Sequence, residues 1–218
     1  MLRPLDAELL CKEAIAFAEI ESAHAEPALY GVTDGKAVGT YFEAKFRMYL
    51  QRGYSFAQGN AARGIDFPDI GVDVKTTSIT QPQSSCPFKS ARQKIFGLGY
   101  SLLVFVYEKT DDPSTQTGRL NIMHTIFLEA DKTGDYQITL GLKQILANNG
   151  NQDDIVAFLN DRALPVDEIE ATAIAETLLS EGPPEQGYLT ISNALQWRLQ
   201  YSRIIREAGA VEGIKRLR

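Results

Sequence analysis

Gly64-Ile65-Asp66-Phe67-Pro68-Asp69-Ile70-Gly71-Val72-Asp73-Val74-Lys75-Thr76-Thr77-Ser78 sets three carboxylates and a lysine among residues with the spacing of a β-strand. From residue 71 to 78 the alternation is clean. Val72, Val74 and Thr76 fall on one face, and Asp73, Lys75 and Thr77 on the other. A strand that buries one face thus holds an acid and a lysine side by side on the opposite one. Asp66 and Asp69 lie just upstream, in a segment short enough to be an adjacent strand or a turn.

Outward from this stretch the hydrophobic period changes twice. Residues 5 to 23 and 36 to 50 carry apolar residues at i, i+3, i+4 and read as amphipathic helices; in the second, Glu43 lies beside the stripe of Val38, Tyr41, Phe42, Phe46 and Tyr49. Residues 54 to 58 and 63 to 67 are short strand candidates. Residues 79 to 88, with two prolines, read as a loop, and 89 to 97 as a short helix. The apolar run SLLVFVYE reads as a buried strand, and a turn at Asp111-Asp112-Pro113-Ser114 leads to another over 120 to 129. Residues 139 to 148, 152 to 161 and the acidic segment after Pro165 read as helices, the last stopped at Gly182. Residues 190 to 208 read as a long basic amphipathic helix carrying Arg198, Arg203 and Arg206, which touch phosphate or simply wet its outer face. Helices, then strands, then helices imply an α/β or α+β domain, a mixed β-sheet flanked by helices. The expectation is one domain over 1–218, with a core at about 30–130 and a helical C-terminal part at about 139–218.

The composition is that of a globular protein, 218 residues with 44% hydrophobic and 23% charged. No apolar run has the roughly 18 residues of a membrane span, and the amino terminus lacks the apolar core of a signal peptide, so a cytoplasmic location is expected. Cys11 and Cys86 form no CxxC, and His24 and His124 have no ligand at metal spacing. Net charge is −6, but it is unevenly distributed. Residues 27–100 carry 9 bases and 5 acids, 101–187 carry 5 and 15, and 188–218 carry 6 and 2. Two basic segments that converged in space would offer phosphates a positive surface.

Common catalytic signatures are absent. Gly31 to Ala37 imitates a phosphate-binding loop but is one residue short and ends in alanine. Gly97-Leu98-Gly99 lacks the third glycine of a dinucleotide fingerprint, and no GxSxG occurs. What remains is acid, acid, lysine. The pattern [DE]-x-K occurs three times, at Asp34, Glu43 and Asp73, and only the third lies on a strand with acids upstream. Converging carboxylates repel unless a cation lies between them, and oxygen ligands select magnesium or a similar hard metal. Such an ion offsets charge on a phosphate while the lysine holds the nucleophile, which points to phosphodiester hydrolysis. A solvated ion pair between Asp73 and Lys75 on an edge strand is the bland alternative.

Asp66 followed by Asp73 and Lys75 resembles the PD-(D/E)XK nuclease signature, and DFPDIGVDVKTTSI resembles the active-site segment of MutH, the mismatch-repair nicking endonuclease, and its type II restriction relatives. In that group the first acid precedes Phe-Pro, seven residues before the second, so the resemblance selects Asp66 over Asp69, which is left as a turn residue. Gly35 to Glu43 resembles the family's glycine-containing helix ending in a carboxylate, and Lys89 to Lys94 the segment supplying a second lysine. Gly187-Tyr188-Leu189-Thr190 is a fainter match to the family's C-terminal part.

The resemblance implies a magnesium-dependent, sequence-specific endonuclease of double-stranded DNA. Asp66 and Asp73 with the Val74 carbonyl bind Mg2+, Lys75 activates water, Lys94 assists at the phosphate and Glu43 takes part from the helix. A cutter of palindromic sites is expected to be a twofold homodimer and a nickase can act as a monomer; a restriction enzyme is expected to have a cognate methyltransferase that protects host DNA. The alternatives are a MutH-like nickase and a DNA-binding module without turnover.

Overall fold

A computed structural model describes residues 2–57, 59, 65–86, 89–192 and 197–218 of the chain. In order these form strand β1 (Arg3–Pro4), helix α1 (Ala7–Ala23), helix α2 (Gly35–Gln51), strands β2 (Tyr54–Ser55), β3 (Val72–Ser78) and β4 (Gln83–Cys86), helix α3 (Gln93–Phe96), strands β5 (Ser101–Asp112) and β6 (Thr117–Leu128), helices α4 (Tyr136–Ala147), α5 (Gln152–Asp161) and α6 (Glu168–Glu181), strands β7 (Thr190–Ile191) and β8 (Trp197–Gln200), helix α7 (Ser202–Glu207) and strand β9 (Ile214–Arg216).

The central sheet has the order β3-β5-β6-β9. β3 runs parallel to β5, and the remaining pairs are antiparallel. Register carries the alternation of β3 across the sheet: Val72, Val74 and Thr76 oppose Ser101, Leu103 and Phe105, while Asp73, Lys75 and Thr77 oppose Leu102, Val104 and Val106. The first face packs on α1 and α2, where Phe17, Phe42, Phe46 and Phe105 meet with ring centroids about 5 Å apart. The second face is covered by a small sheet of order β4-β8-β7 and by α7. Helices α4 to α6 enclose a third apolar cluster with Ala91 and Ile95.

Caps explain where the helices begin. The Asp34 carboxylate accepts from the N–H groups of Lys36 and Ala37, Asp6 from that of Leu9, and Asp135 from those of Gln137 and Ile138. β3 stands at the edge of its sheet, and α2 crosses close beside it at Gly39, where an added Cβ would lie 3.6 Å from the Thr76 carbonyl oxygen.

Three sequence expectations are corrected and a fourth is met in part. The long helix over 190 to 208 is instead β7, β8 and the short α7, with residues 193–196 outside the described residues. Trp197, Leu199 and Tyr201 are buried and alternate with exposed Arg198 and Gln200, so period 2 prevails over the helical spacing that the same apolar residues also allow. The supposed loop at 79 to 88 contains β4, with Pro82 just before its first residue, a place where a missing N–H costs the ladder nothing. The C-terminal part is therefore helical only to Glu181, and β9 returns to the central sheet. Of the strand candidates at 54 to 58 and 63 to 67, Tyr54–Ser55 pairs with β1 and Phe67 bridges Val72; residues 58 and 60–64 lie outside the described residues.

Candidate active site

The site is built on the open edge of β3. In a strand, the N–H and C=O of one residue point to the same side, and successive residues alternate sides. Val72, Val74 and Thr76 all direct their amides away from β5, and each finds a different partner. Val72 exchanges backbone hydrogen bonds with Phe67 at 2.9 and 3.2 Å, closing a tight hairpin over the 3-10 turn Pro68–Ile70. Val74 N–H donates to Asp66 Oδ2 at 3.0 Å, and Thr76 N–H donates to the Glu43 carboxylate. Gly71 makes the hairpin possible with φ 62°, a left-handed conformation that side chains disfavour.

Asp66 and Asp73 are thus brought together from the two arms of that hairpin. Asp73 is buried, and its Oδ2 lies 2.6 Å from Lys75 Nζ. The other Asp66 oxygen accepts from Arg47 at 2.9 Å, an ion pair reaching across from α2. Burial pushes the Asp73 carboxyl up to about 6, opposed by Lys75 and helped by the charge of Asp66. Burial likewise pushes Glu43 up to about 7; Lys75 pulls against it, while Asp66 and Asp73 add to the rise. Burial works against the Lys75 ammonium, but Asp73, Glu43 and Asp66 outweigh it and hold its pKa above the usual lysine value. Three carboxylates against Lys75 and Arg47 leave an excess of negative charge when all are ionised, which a divalent cation would offset.

The donors fit such a cation. Two carboxylates and the Val74 carbonyl, which shares the open edge with its own N–H, are hard oxygen ligands. Magnesium takes one or two protein carboxylates and completes its shell with water or phosphate oxygens. Among the described residues no group of three or more acidic, thiol or imidazole side chains is arranged to hold a metal ion, so a cation here would rest on two carboxylates, the Val74 carbonyl and its own water.

The wall behind the cluster comes from the small sheet. Tyr201 is fully buried and its hydroxyl meets Ser84 Oγ at 2.5 Å; the Tyr100 hydroxyl meets Cys86 Sγ at 3.7 Å. Burial raises both phenols, and the charge of Asp73 adds to each shift.

Of the residues singled out in the sequence, Asp66, Asp73, Val74, Lys75 and Glu43 come together here. Asp69 does not: its carboxylate accepts from Ala57 N–H at 2.9 Å, in the turn. Lys94 is buried in another setting, where Nζ donates to the Ile191 carbonyl at 3.0 Å, lies 5.0 Å from the centre of the Trp197 ring and feels the charge of Asp135. Arg47 lies four residues after Glu43 on α2, a spacing that allows an ion pair along the helix, yet its guanidinium reaches Asp66. The role of Ser84 and Tyr201 carried no sequence signal, since it depends on a pairing across more than a hundred residues.

A family profile described as type II restriction enzyme NspV matches residues 4–216. The chain is also 64% identical over 210 residues to the type II restriction enzyme NspV of Nostoc sp. (strain ATCC 29411 / PCC 7524), a match that spans 96% of this chain and 95% of that protein.

Proposed function

The chain belongs to the NspV family of type II restriction enzymes, and from that premise we propose that it hydrolyses DNA with Mg2+ at the carboxylate and lysine cluster on the edge of β3. It is a site-specific deoxyribonuclease, and the alternative of a MutH-like nickase is not favoured. What carries the reading is the convergence of Asp66, Asp73, Glu43 and Lys75 at one strand edge. The same set supports placement of the family among the PD-(D/E)XK nucleases.

Asp66, Asp73 and the Val74 carbonyl hold the Mg2+. When bound, the ion stabilises charge on the phosphate and makes bound water more acidic. Lys75 Nζ, held against Asp73, orients the attacking water and meets the charge that builds on the phosphoryl oxygens. Arg47 fixes Asp66 from α2, and Glu43 tethers the strand edge to the same helix. Lys94, which the resemblance sets at the phosphate, has a positioning part in this reading: it grips Ile191 and so steadies β7. Two such chains acting as a twofold dimer would cut both strands of a palindrome, with a cognate methyltransferase protecting the host's own sites.

Lys75→Ala tests the assignment. Cleavage of plasmid DNA in Mg2+ is expected to fall by at least about 100-fold, with the thermal melt and DNA binding largely retained. Wild-type protein is expected to give linear fragments with defined ends in Mg2+ and none in chelator. Undiminished cleavage by Lys75→Ala would remove the cluster from the chemistry.

A further inference from the structure

The small sheet has an outward face that the reaction does not use. β4 and β8 pair antiparallel, with Gln83 opposite Gln200 and Ser85 opposite Arg198. Cys86, Trp197 and Leu199 turn inward and are buried. Gln83, Ser85, Arg198 and Gln200 turn outward; Gln83 is half-buried and the other three are exposed. Within the described residues none of these four side chains makes a hydrogen bond or an ion pair.

The charge around this ribbon is unlike that of the rest of the chain. Residues 74–107 contain four bases and no acid, and residues 186–206 contain three bases and no acid, in a protein with 28 acidic residues. The β4 to β8 pairing is what brings these two acid-free segments together. Of their seven bases Lys94 is buried and Lys75 pairs with Asp73, while Lys89 and Arg198 are exposed; exposed bases beside a ribbon that carries no acid suit a polyanion despite the net charge of −6.

The ribbon is also fixed to the catalytic strand. Thr77 Oγ1 on β3 accepts from Gln83 N–H at 2.9 Å and donates to the Gln83 carbonyl at 3.0 Å, and Tyr201 N–H donates to the Pro82 carbonyl at 2.8 Å. A two-stranded ribbon fits the major groove, where Arg pairs bidentately with guanine and Gln with adenine. Residues two apart on one strand face are separated by about 7 Å, which matches about two base steps of DNA.

We infer that the Gln83–Gln200 and Ser85–Arg198 pairs form a base-reading ribbon that enters the major groove, with Arg198 selecting a G·C pair and the two glutamines A·T pairs. The inference rests on the reading of β3 as the cleavage strand. It adds where the recognition sequence is encoded.

The test begins by sequencing the ends of plasmid cut by the wild-type enzyme, which gives the recognition sequence. Binding is then measured by fluorescence anisotropy, with Ca2+ in place of Mg2+, on the cognate duplex, on duplexes changed at one base pair each, and on a non-specific duplex. The variants are Arg198→Ala, Arg198→Lys, Gln83→Ala and Gln200→Ala, all at outward-facing positions. Each is expected to lose about 5- to 150-fold in cognate affinity and to stop discriminating at one base pair. Arg198→Lys keeps the charge but not the fork, so its non-specific affinity should stay within about threefold while its discrimination is lost. Unaltered discrimination, or an equal loss on every duplex, would overturn the inference. The binding assay does not depend on cleavage. A cleaving Lys75→Ala would therefore sink the cluster assignment without touching the base-reading result, and the reverse also holds.

Discussion

At Glu43 a single carboxylate answers to burial, to two like charges and to one opposite charge, and it settles at about 7 from an ordinary value of 4.5. A folded-state pKa raised in this way means that the native protein holds the proton more tightly than the unfolded chain. The resulting stability is present below about pH 4.5 and is lost as pH rises through about 7. Asp73, raised to about 6, acts in the same direction. Glu43→Gln removes the titrating group and keeps an oxygen for Thr76 N–H. In chelator it is expected to match wild type in urea denaturation at pH 4.5 and to exceed it by on the order of 2 kcal/mol at pH 8; an equal difference at both pH values would contradict this origin. Asp73 and Lys75 were legible in the sequence because period 2 is a local fact, whereas the choice of Asp66 over Asp69 came from the family resemblance. The partner of Arg47 was not legible. Spacing on the helix offers Glu43, but Glu43 is drawn to the strand edge and Arg47 reaches Asp66 instead. Lys94 was equally illegible, since its partner Ile191 lies 97 residues away.

Among the elements, α1, α2 and α4 to α6 could be read from apolar spacing and from Asp or Asn caps, because both signals lie within one helix. β4 and β8 could not, because each is four residues long and is made a strand by the other. The contact that seats this small sheet on the helices is equally non-local. Gly187 packs so tightly on Gly134 that an added Cβ would lie 2.2 Å from its carbonyl carbon and oxygen. The Gly187 N–H donates to Thr139 Oγ1 at 3.0 Å, while Asp135 Oδ2 accepts from Ile191 N–H at 2.8 Å. Gly187→Ala must displace backbone, so a loss of about 1–3 kcal/mol or more in chemical denaturation is expected. Gly39→Ala is the control. Its Cβ meets nothing nearer than 3.6 Å, and the helix should gain up to about 1 kcal/mol. Equal effects of the two substitutions would show that backbone proximity at Gly187 is not what constrains it.

For the molecule as a whole, the uneven charge becomes intelligible once the strands are placed. The β4 to β8 pairing brings the acid-free stretches 74–107 and 186–206 together, while eight of the fifteen acids of 101–187 lie at α5 and α6. No helix among the described residues is long and apolar enough to cross a membrane. The edge of β3 has a further consequence at this scale. An unpaired strand edge is a template on which another chain can add a strand, and here side-chain carboxylates, not a neighbouring strand, occupy the amides of Val74 and Thr76. The carboxylates proposed for the chemistry therefore also block strand addition at this edge. A combined Asp66→Ala and Glu43→Ala protein is expected to self-associate with rising concentration in light scattering, whereas Lys75→Ala should behave as wild type. An inactive protein intended for storage or for crystals with intact DNA is accordingly better made at the lysine than at the acids.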